Sequence, residues 1–192
     1  MVLKNENLLK LITAIAIASN TNKLEVVHFK KNEHIVDENK FLKYLYVIKE
    51  GVCKCVINES KNDKKFIIEF IGSGEIVGEI EAILGTKTMA QVIAITNLVV
   101  FKIELNTFKK LLDENKKFND LILIELANKL KNTGVRTSIQ QLNTIGSSLI
   151  KILKIQKEQN LIFSKNDLAE YLGITIRSLN RELKKLNINQ LD

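Results

Sequence analysis

The sequence predicts an α+β protein in which an antiparallel β jelly roll precedes a long helix and a compact pair of short helices. Three observations carry this expectation. Between residues 24 and 103, runs of four to six mostly β-branched, aliphatic and aromatic residues alternate with turn signals. From Asn106 onward the apolar period switches to three and four residues. Near the C-terminus two capped segments flank a glycine at the spacing of two crossing helices. The expected boundaries are 1–105 for the roll, 106–143 for the long helical region and 144–192 for the terminal helices.

The first element is an amphipathic helix, with Leu8, Leu11, Ile12 and Ile15 on one face. Its run from Leu11 ends in Ala16-Ile17-Ala18, the form of a signal-peptide cleavage site. The run is at the short end for a secretory core, Glu6 dilutes its positive flank, and it is far too short to span a bilayer. Strands follow at Leu45-Tyr46-Val47-Ile48, Cys53 to Ile57, Phe66 to Ile71, Gln91 to Ile95 and Leu98 to Ile103. Between them lie the turn signals Glu50-Gly51, Asn58 to Asp63, Gly72-Ser73-Gly74 and Thr96-Asn97. Even spacing without long intervening helices predicts a sandwich or jelly roll. The chain has no proline, so element boundaries rest on Gly, Asn and Asp. Cys53 and Cys55, its two cysteines, alternate in a strand and point to one side. Two are too few for a disulfide framework or a zinc site, so both are expected to pack as small apolar groups.

Phe108, Leu111 and Leu112 share the face of a helix, and a longer one follows. Leu123, Leu126, Ala127 and Leu130 recur at helical spacing, and the stripe resumes at Val135, Ile139 and Leu142. Such a helix beside a sheet domain leaves an apolar stripe in water unless a second chain covers it. Leu123, Leu126, Ala127 and Leu130 are therefore the expected contacts of a homodimer.

The strongest signal runs from Phe163 to Leu186. Ser164 and Asp167 form a capping-box-like start. Leu168, Ala169 and Leu172 make an inner face, Gly173 can end that helix in the left-handed conformation, and Ile174 plugs the corner. Thr175 caps a second helix with Leu179, Leu183 and Leu186 inside. Ile176, Arg177, Asn180, Arg181 and Lys184 then face outward near its N-terminal part, where a helix-turn-helix presents side chains to the DNA major groove. Arginine can hold guanine O6 and N7 with two parallel bonds, and Ile can meet a thymine methyl. Ser164, Thr175, Ser178 and the helix amides suit phosphate oxygens.

With these residues in place the chain resembles the Crp/Fnr family from end to end. That resemblance implies an effector-binding roll, a dimerisation helix and a winged helix-turn-helix reading a palindromic operator. Gly74-Glu75-Ile76-Val77-Gly78-Glu79-Ile80 is similar to the family's phosphate-binding cassette, which places Glu79 at the ribose-binding carboxylate. Asn128-Lys129-Leu130 falls in the dimer helix and Thr133 at the base contact. Two departures stand out. Where cyclic-AMP-binding members carry an Arg-Ser pair, this chain has Thr88 and Met89, neither of which neutralises a phosphate. The family's β-hairpin wing would follow the recognition helix, but only Asn187 to Asp192 remain, so a shortened or missing wing is expected. The N-terminal cysteine cluster of iron–sulfur members is also lacking. The implied effector pocket is Gly78, Glu79, Thr88, Met89 and Thr133, with an unknown effector other than cyclic AMP.

Bulk composition is compatible with this reading. Lys and Arg outnumber Asp and Glu by 29 to 22, which suits a nucleic-acid partner, but residues 151–192 hold only eight and five of them. Gly72, Gly74 and Gly78 match neither the dinucleotide fingerprint nor the P-loop. No nucleophile–base pairing stands out, so no enzyme activity, metal or cofactor is expected. A cupin-like enzyme would need clustered histidines, and His28 and His34 are the only two. A nucleotide-binding-like module that regulates a protein partner without DNA is the other alternative. The partners implied by the resemblance are double-stranded DNA, a second copy of the chain, RNA polymerase and a small-molecule effector, in the cytoplasm and without a membrane.

Overall fold

A computed structural model describes residues 2–18, 24–59 and 64–188. The described residues form β1 (Val2–Leu3), α1 (Glu6–Ala18), β2 (Leu24–Phe29), β3 (His34–Val36), β4 (Tyr44–Glu50), β5 (Cys53–Glu59) and β6 (Lys64–Ile71). They continue with β7 (Ile76–Val77), α2 (Glu79–Leu84), β8 (Gln91–Ala94), β9 (Leu98–Glu104), α3 (Leu105–Glu114), α4 (Lys116–Leu142), α5 (Ile145–Glu158), α6 (Lys165–Leu172) and α7 (Ile176–Lys185). Asn5 starts α1 by accepting from the Leu8 amide at 3.0 Å, and Asn115 does the same for α4 with Phe118 at 3.0 Å.

The strands build two sheets, ordered β1-β6-β5-β8-β3 and β2-β9-β4-β7. Every pairing is antiparallel except β1 with β6. The alternation read from the sequence becomes burial: Leu45, Val47, Val100 and Ile103 are inaccessible while Lys102 between them reaches solvent. All five strands expected from the sequence are present; four run a residue or two further at an end, and the one expected over 91–95 stops a residue early at Ala94. Strands β1 and β7 have two residues each, too short for alternation to mark them.

Three apolar clusters hold the chain together. One lies between the sheets and includes Ile48, Cys53, Ile71, Val92 and Val100, with Cys55 packed at its edge. Burial pushes the Cys55 thiol up to about 12 and the Cys53 thiol higher still, so both act as the small apolar groups expected. A second joins Leu8 and Ile12 of α1 to Leu45, Phe101, Phe108, Phe118 and Ile122. There Phe108 and Phe118 meet edge to face at 5.8 Å, which fixes α3 and the start of α4 on the roll. The third is shared: Val56, Ile67 and Phe70 of the roll pack with Leu149, Ile152, Phe163, Leu168, Leu179 and Leu183 of the terminal helices. Phe70 stacks on Phe163 at 4.3 Å and on Tyr171 at 5.1 Å. The terminal helices are therefore seated on the outer face of the first sheet.

Candidate nucleic-acid interface and effector pocket

Helices α6 and α7 form the expected pair. The Ser164 hydroxyl accepts from the Asp167 amide at 3.1 Å, and the Asp167 carboxylate accepts from the Ser164 amide at 3.0 Å, a complete capping box. Gly173 closes α6 at φ 67°, and a methyl group there would lie 3.6 Å from the Phe66 ring. The ring leaves room for a methyl group, so it is the left-handed turn that favours glycine at this corner. Thr175 caps α7 by accepting from the Ser178 amide at 3.2 Å. Leu179 and Leu183 are buried beneath α7 and Leu186 is half-buried.

That inner face leaves Ile176, Arg177, Asn180, Arg181 and Lys184 exposed, with Ser164 and Thr175 at the two helix starts also in solvent. Ser178 is half-buried, its hydroxyl 3.1 Å from that of Thr175. Arg181 is only 3.8 Å from the adjacent Glu182 and remains two-thirds exposed, so its guanidinium is available. A link the sequence reading missed ties this unit to the roll: Lys54 of β5 donates to Asp167 at 2.6 Å and to Glu170 at 3.2 Å. Burial raises the Asp167 carboxyl, but bonds from Lys54 and Ser164 outweigh it and hold the group below its ordinary range.

The cassette adopts a tight geometry. Gly78 takes φ 92° under the Leu42 side chain, and Glu79 opens α2 while almost fully buried. The sequence leaves Glu79 free for a ribose hydroxyl; the structure gives it to Lys129 of α4, at 2.7 Å. Lys129 also reaches Glu125 at 3.4 Å, Glu69 at 4.0 Å and the Ile76 carbonyl at 3.0 Å. Burial lowers the Lys129 ammonium, yet the three carboxylates outweigh it and raise it. Glu75 and Glu125 share a hydrogen bond, and burial pushes them up to about 7 and about 8. A signal for Lys129 existed: Phe118, Ile122, Glu125 and Lys129 sit three and four residues apart on one helix face.

Thr88 and Met89 behave differently from pocket walls. Thr88 is buried, donates to the Asp37 carbonyl at 2.7 Å and accepts from the Lys40 amide at 2.9 Å, closing a turn. Met89 is half exposed, and its amide donates to the Glu81 carboxylate at 3.3 Å. Lys87, the nearest alternative cation in sequence, lies over the Phe41 ring at 5.7 Å. Thr133 lines a different cavity, bounded by β1, β6, α4, α5 and α6. His34 pairs with Asp37 at 3.2 Å on the surface. Among the described residues no group of His, Cys, Asp and Glu could hold a metal, and no helix is long and apolar enough to cross a membrane.

On α4 the expected stripe divides. Leu123, Ala127 and Leu130 are exposed, Leu123 at 60% and Leu130 at 77%, and Ile124 and Val135 join them. Leu126 instead lies half-buried against the roll. Leu142 is exposed, while the Ile139 side chain and residues 189–192, over which a shortened wing is expected, lie outside the described residues.

Comparison with known proteins agrees with this architecture. Residues 26–115 match the cyclic nucleotide-binding domain family. Among solved structures, the c-di-GMP-responsive global regulator Clp of Xanthomonas campestris is similar over 95% of this chain and 92% of its own, at 16% identity and a TM-score of 0.78. FixK2 of Bradyrhizobium japonicum is similar over 85% and 84%, at 18% identity and a TM-score of 0.73. A Crp/Fnr-family transcriptional regulator of Thermus thermophilus is similar over 85% and 86%, at 14% identity and a TM-score of 0.74. No curated protein matches the chain in sequence. The chain thus has the fold of Crp/Fnr-type regulators, and its roll is similar to the cyclic nucleotide-binding domain, in line with the resemblance carried by its motifs.

Proposed function

We propose that the chain is a DNA-binding transcription regulator that works as a homodimer on a palindromic operator. The observation that carries this reading is α7: a Thr175-capped helix with a buried leucine face and Ile176, Arg177, Asn180, Arg181 and Lys184 standing free in solvent. In this reading Arg177 and Arg181 read base edges, Ile176 and Asn180 assist, and Ser164, Thr175, Ser178 and Lys184 hold phosphates. The roll spans 1–105, the dimer region 106–143 and the DNA-binding unit 144–192, with Phe108 and Phe118 of the middle region lending side chains to the roll.

Dimerisation is supported by the apolar residues that α4 leaves in water. Leu123, Ala127, Leu130 and Gly134 follow a four-three-four spacing opposite the face that packs on the roll. That spacing matches the seam of a two-stranded coiled coil and supports pairing through this face. Cyclic AMP is not the effector in this reading, because Glu79 is already neutralised internally and Thr88 and Met89 supply no cation. RNA polymerase is a further partner, and action in the cytoplasm follows from the DNA reading.

Selection of bound sequences from a random duplex pool tests the proposal. Enrichment of a two-fold symmetric site with half-sites about 34–36 Å apart is expected. Failure to enrich any sequence at moderate salt overturns the DNA reading.

A further inference from the structure

A cavity of about 270 Å³ opens where the roll, α4, α5 and α6 meet. Its walls are mostly apolar, from Leu3, Ile68, Val135, Ile152, Ile155 and Leu172. Two cations, Arg136 and Lys151, stand among them, against one carboxylate, Glu69, that already faces Lys129. Among the described residues neither cation has a carboxylate within ion-pair distance. Arg136 lies between the Tyr171 and Phe66 rings, 4.0 and 4.9 Å from their centroids. Its terminal nitrogens donate to the carbonyls of Ile67, Ile68 and Tyr171, all of them neutral. The Nε–H is buried and has no acceptor. Proteins rarely leave a half-buried guanidinium with an open donor and its one neighbouring carboxylate, here Glu69, beyond ion-pair distance, because both carry a desolvation penalty.

We infer that this junction binds a small organic acid, one carboxylate on an apolar body, with the carboxylate facing Arg136 and Lys151. The apolar walls give the body its surface, and the volume, slightly below the usual range of about 300–1,000 Å³, limits its size. A phosphate dianion fits worse, since Glu69 lines the same space. Thr133, expected beside a nucleotide base, belongs to this wall and not to the Glu79 pocket. The inference rests on the preceding reading for its consequence: a ligand touching the roll, α4, α5 and α6 at once would bias how the DNA-reading unit sits on the roll.

Titration calorimetry of the full chain with sodium octanoate tests the site, with octan-1-ol and sodium phosphate alongside. Octanoate is expected to bind once per chain, octan-1-ol at least about tenfold more weakly, and phosphate without measurable heat. Thr133→Trp, at an exposed position, should fill the cavity and abolish binding, and Lys151→Gln should weaken it about tenfold. Melting curves confirm that both variants fold. No binding by the parent chain overturns the inference. So does equal binding of the alcohol, or unchanged binding by Thr133→Trp. Duplex selection on the same preparation separates the two proposals, since octanoate binding does not depend on whether DNA is enriched.

Discussion

Replacing Lys129 by Met removes the cation that Glu69, Glu79 and Glu125 share and leaves buried carboxylates without their ion pair. The Lys129 side chain is 10% exposed, and those of Glu79 and Glu125 are 3% and 2% exposed. Breaking a pair buried this deeply costs about 3–5 kcal/mol, because the charge left behind has lost its water as well as its partner. For a chain of this size one kcal/mol corresponds to about 2–4 °C, so the melting temperature at pH 7 should fall by about 6–20 °C. Glu69, Glu75 and Glu125, whose carboxyls burial already raises, can also take up protons, and more so at pH 5, so the loss there should be smaller. Adding Glu79→Gln to Lys129→Met should restore part of the stability, since the uncompensated charge then goes with its partner. Circular-dichroism melts of the parent, single and double variants at both pH values decide the matter. A fall below about 2 °C, or an equal fall at both pH values, would refute the reasoning.

Ala at Arg177 or Arg181 should cost about 1–3 kcal/mol of discrimination against mismatched operators with the melting temperature unchanged, as fluorescence anisotropy on a selected operator would measure. Leu130→Glu should convert the dimer to monomer at tens of micromolar; sedimentation showing a monomeric parent would remove the dimer itself. Calorimetry with cyclic AMP and cyclic GMP should show no micromolar binding, and binding of either would mean that Lys129 leaves Glu79 for the nucleotide. The Glu75–Glu125 pair gives a pH signature. Both carboxyls rise from 4.5, to about 7 and about 8, so the folded state holds protons the unfolded chain releases. Their contribution is therefore full below about 4.5 and lost as pH rises to about 8. Glu125→Gln should flatten the melting temperature across that window.

Patterns confined to one element were readable in the sequence. The alternation of Leu45 and Val47, the Ser164–Asp167 box, Gly173 and the Thr175 cap each follow from a few adjacent residues, and the structure reproduces them. Contacts between elements were not. Lys54 lies in a strand pattern and Asp167 in a helix cap, 113 positions apart, and nothing local joins them. Thr88 matched a phosphate-binding position, yet its hydroxyl is used by the 37–40 turn, a choice set by the path of a distant loop. Leu126 matched the stripe in period but sits at its border, where a rotation of a few tens of degrees decides between roll and solvent. Lys129 was visible as part of α4, but its meaning required Glu69, Glu75, Glu79 and Glu125 to converge from β6, the β7 approach, α2 and α4.

The arrangement of α4 places a mechanical constraint on any regulation. Lys129 fastens the helix to α2 through Glu79, while Arg136, two turns later on the same face, fastens it to β6 and to Tyr171 of α6. Sliding α4 along the roll cannot keep both attachments, because two of the carbonyls that receive Arg136, those of Ile67 and Ile68, belong to strand β6 and do not move with the helix. The α6–α7 pair has its own anchor, since Asp167 both completes the cap of α6 and receives Lys54. Turning that unit would have to separate Lys54 from Asp167 and Phe70 from Phe163, whereas Ser164 would travel with Asp167 and the cap would survive. A change of state therefore loosens the seat of the helix pair before it disturbs the pair itself. The cavity beside Arg136, Tyr171 and Leu172 borders α4, α6 and β6 together, so the organic acid inferred above would act on the Arg136 attachment and leave the Lys129 pair in place.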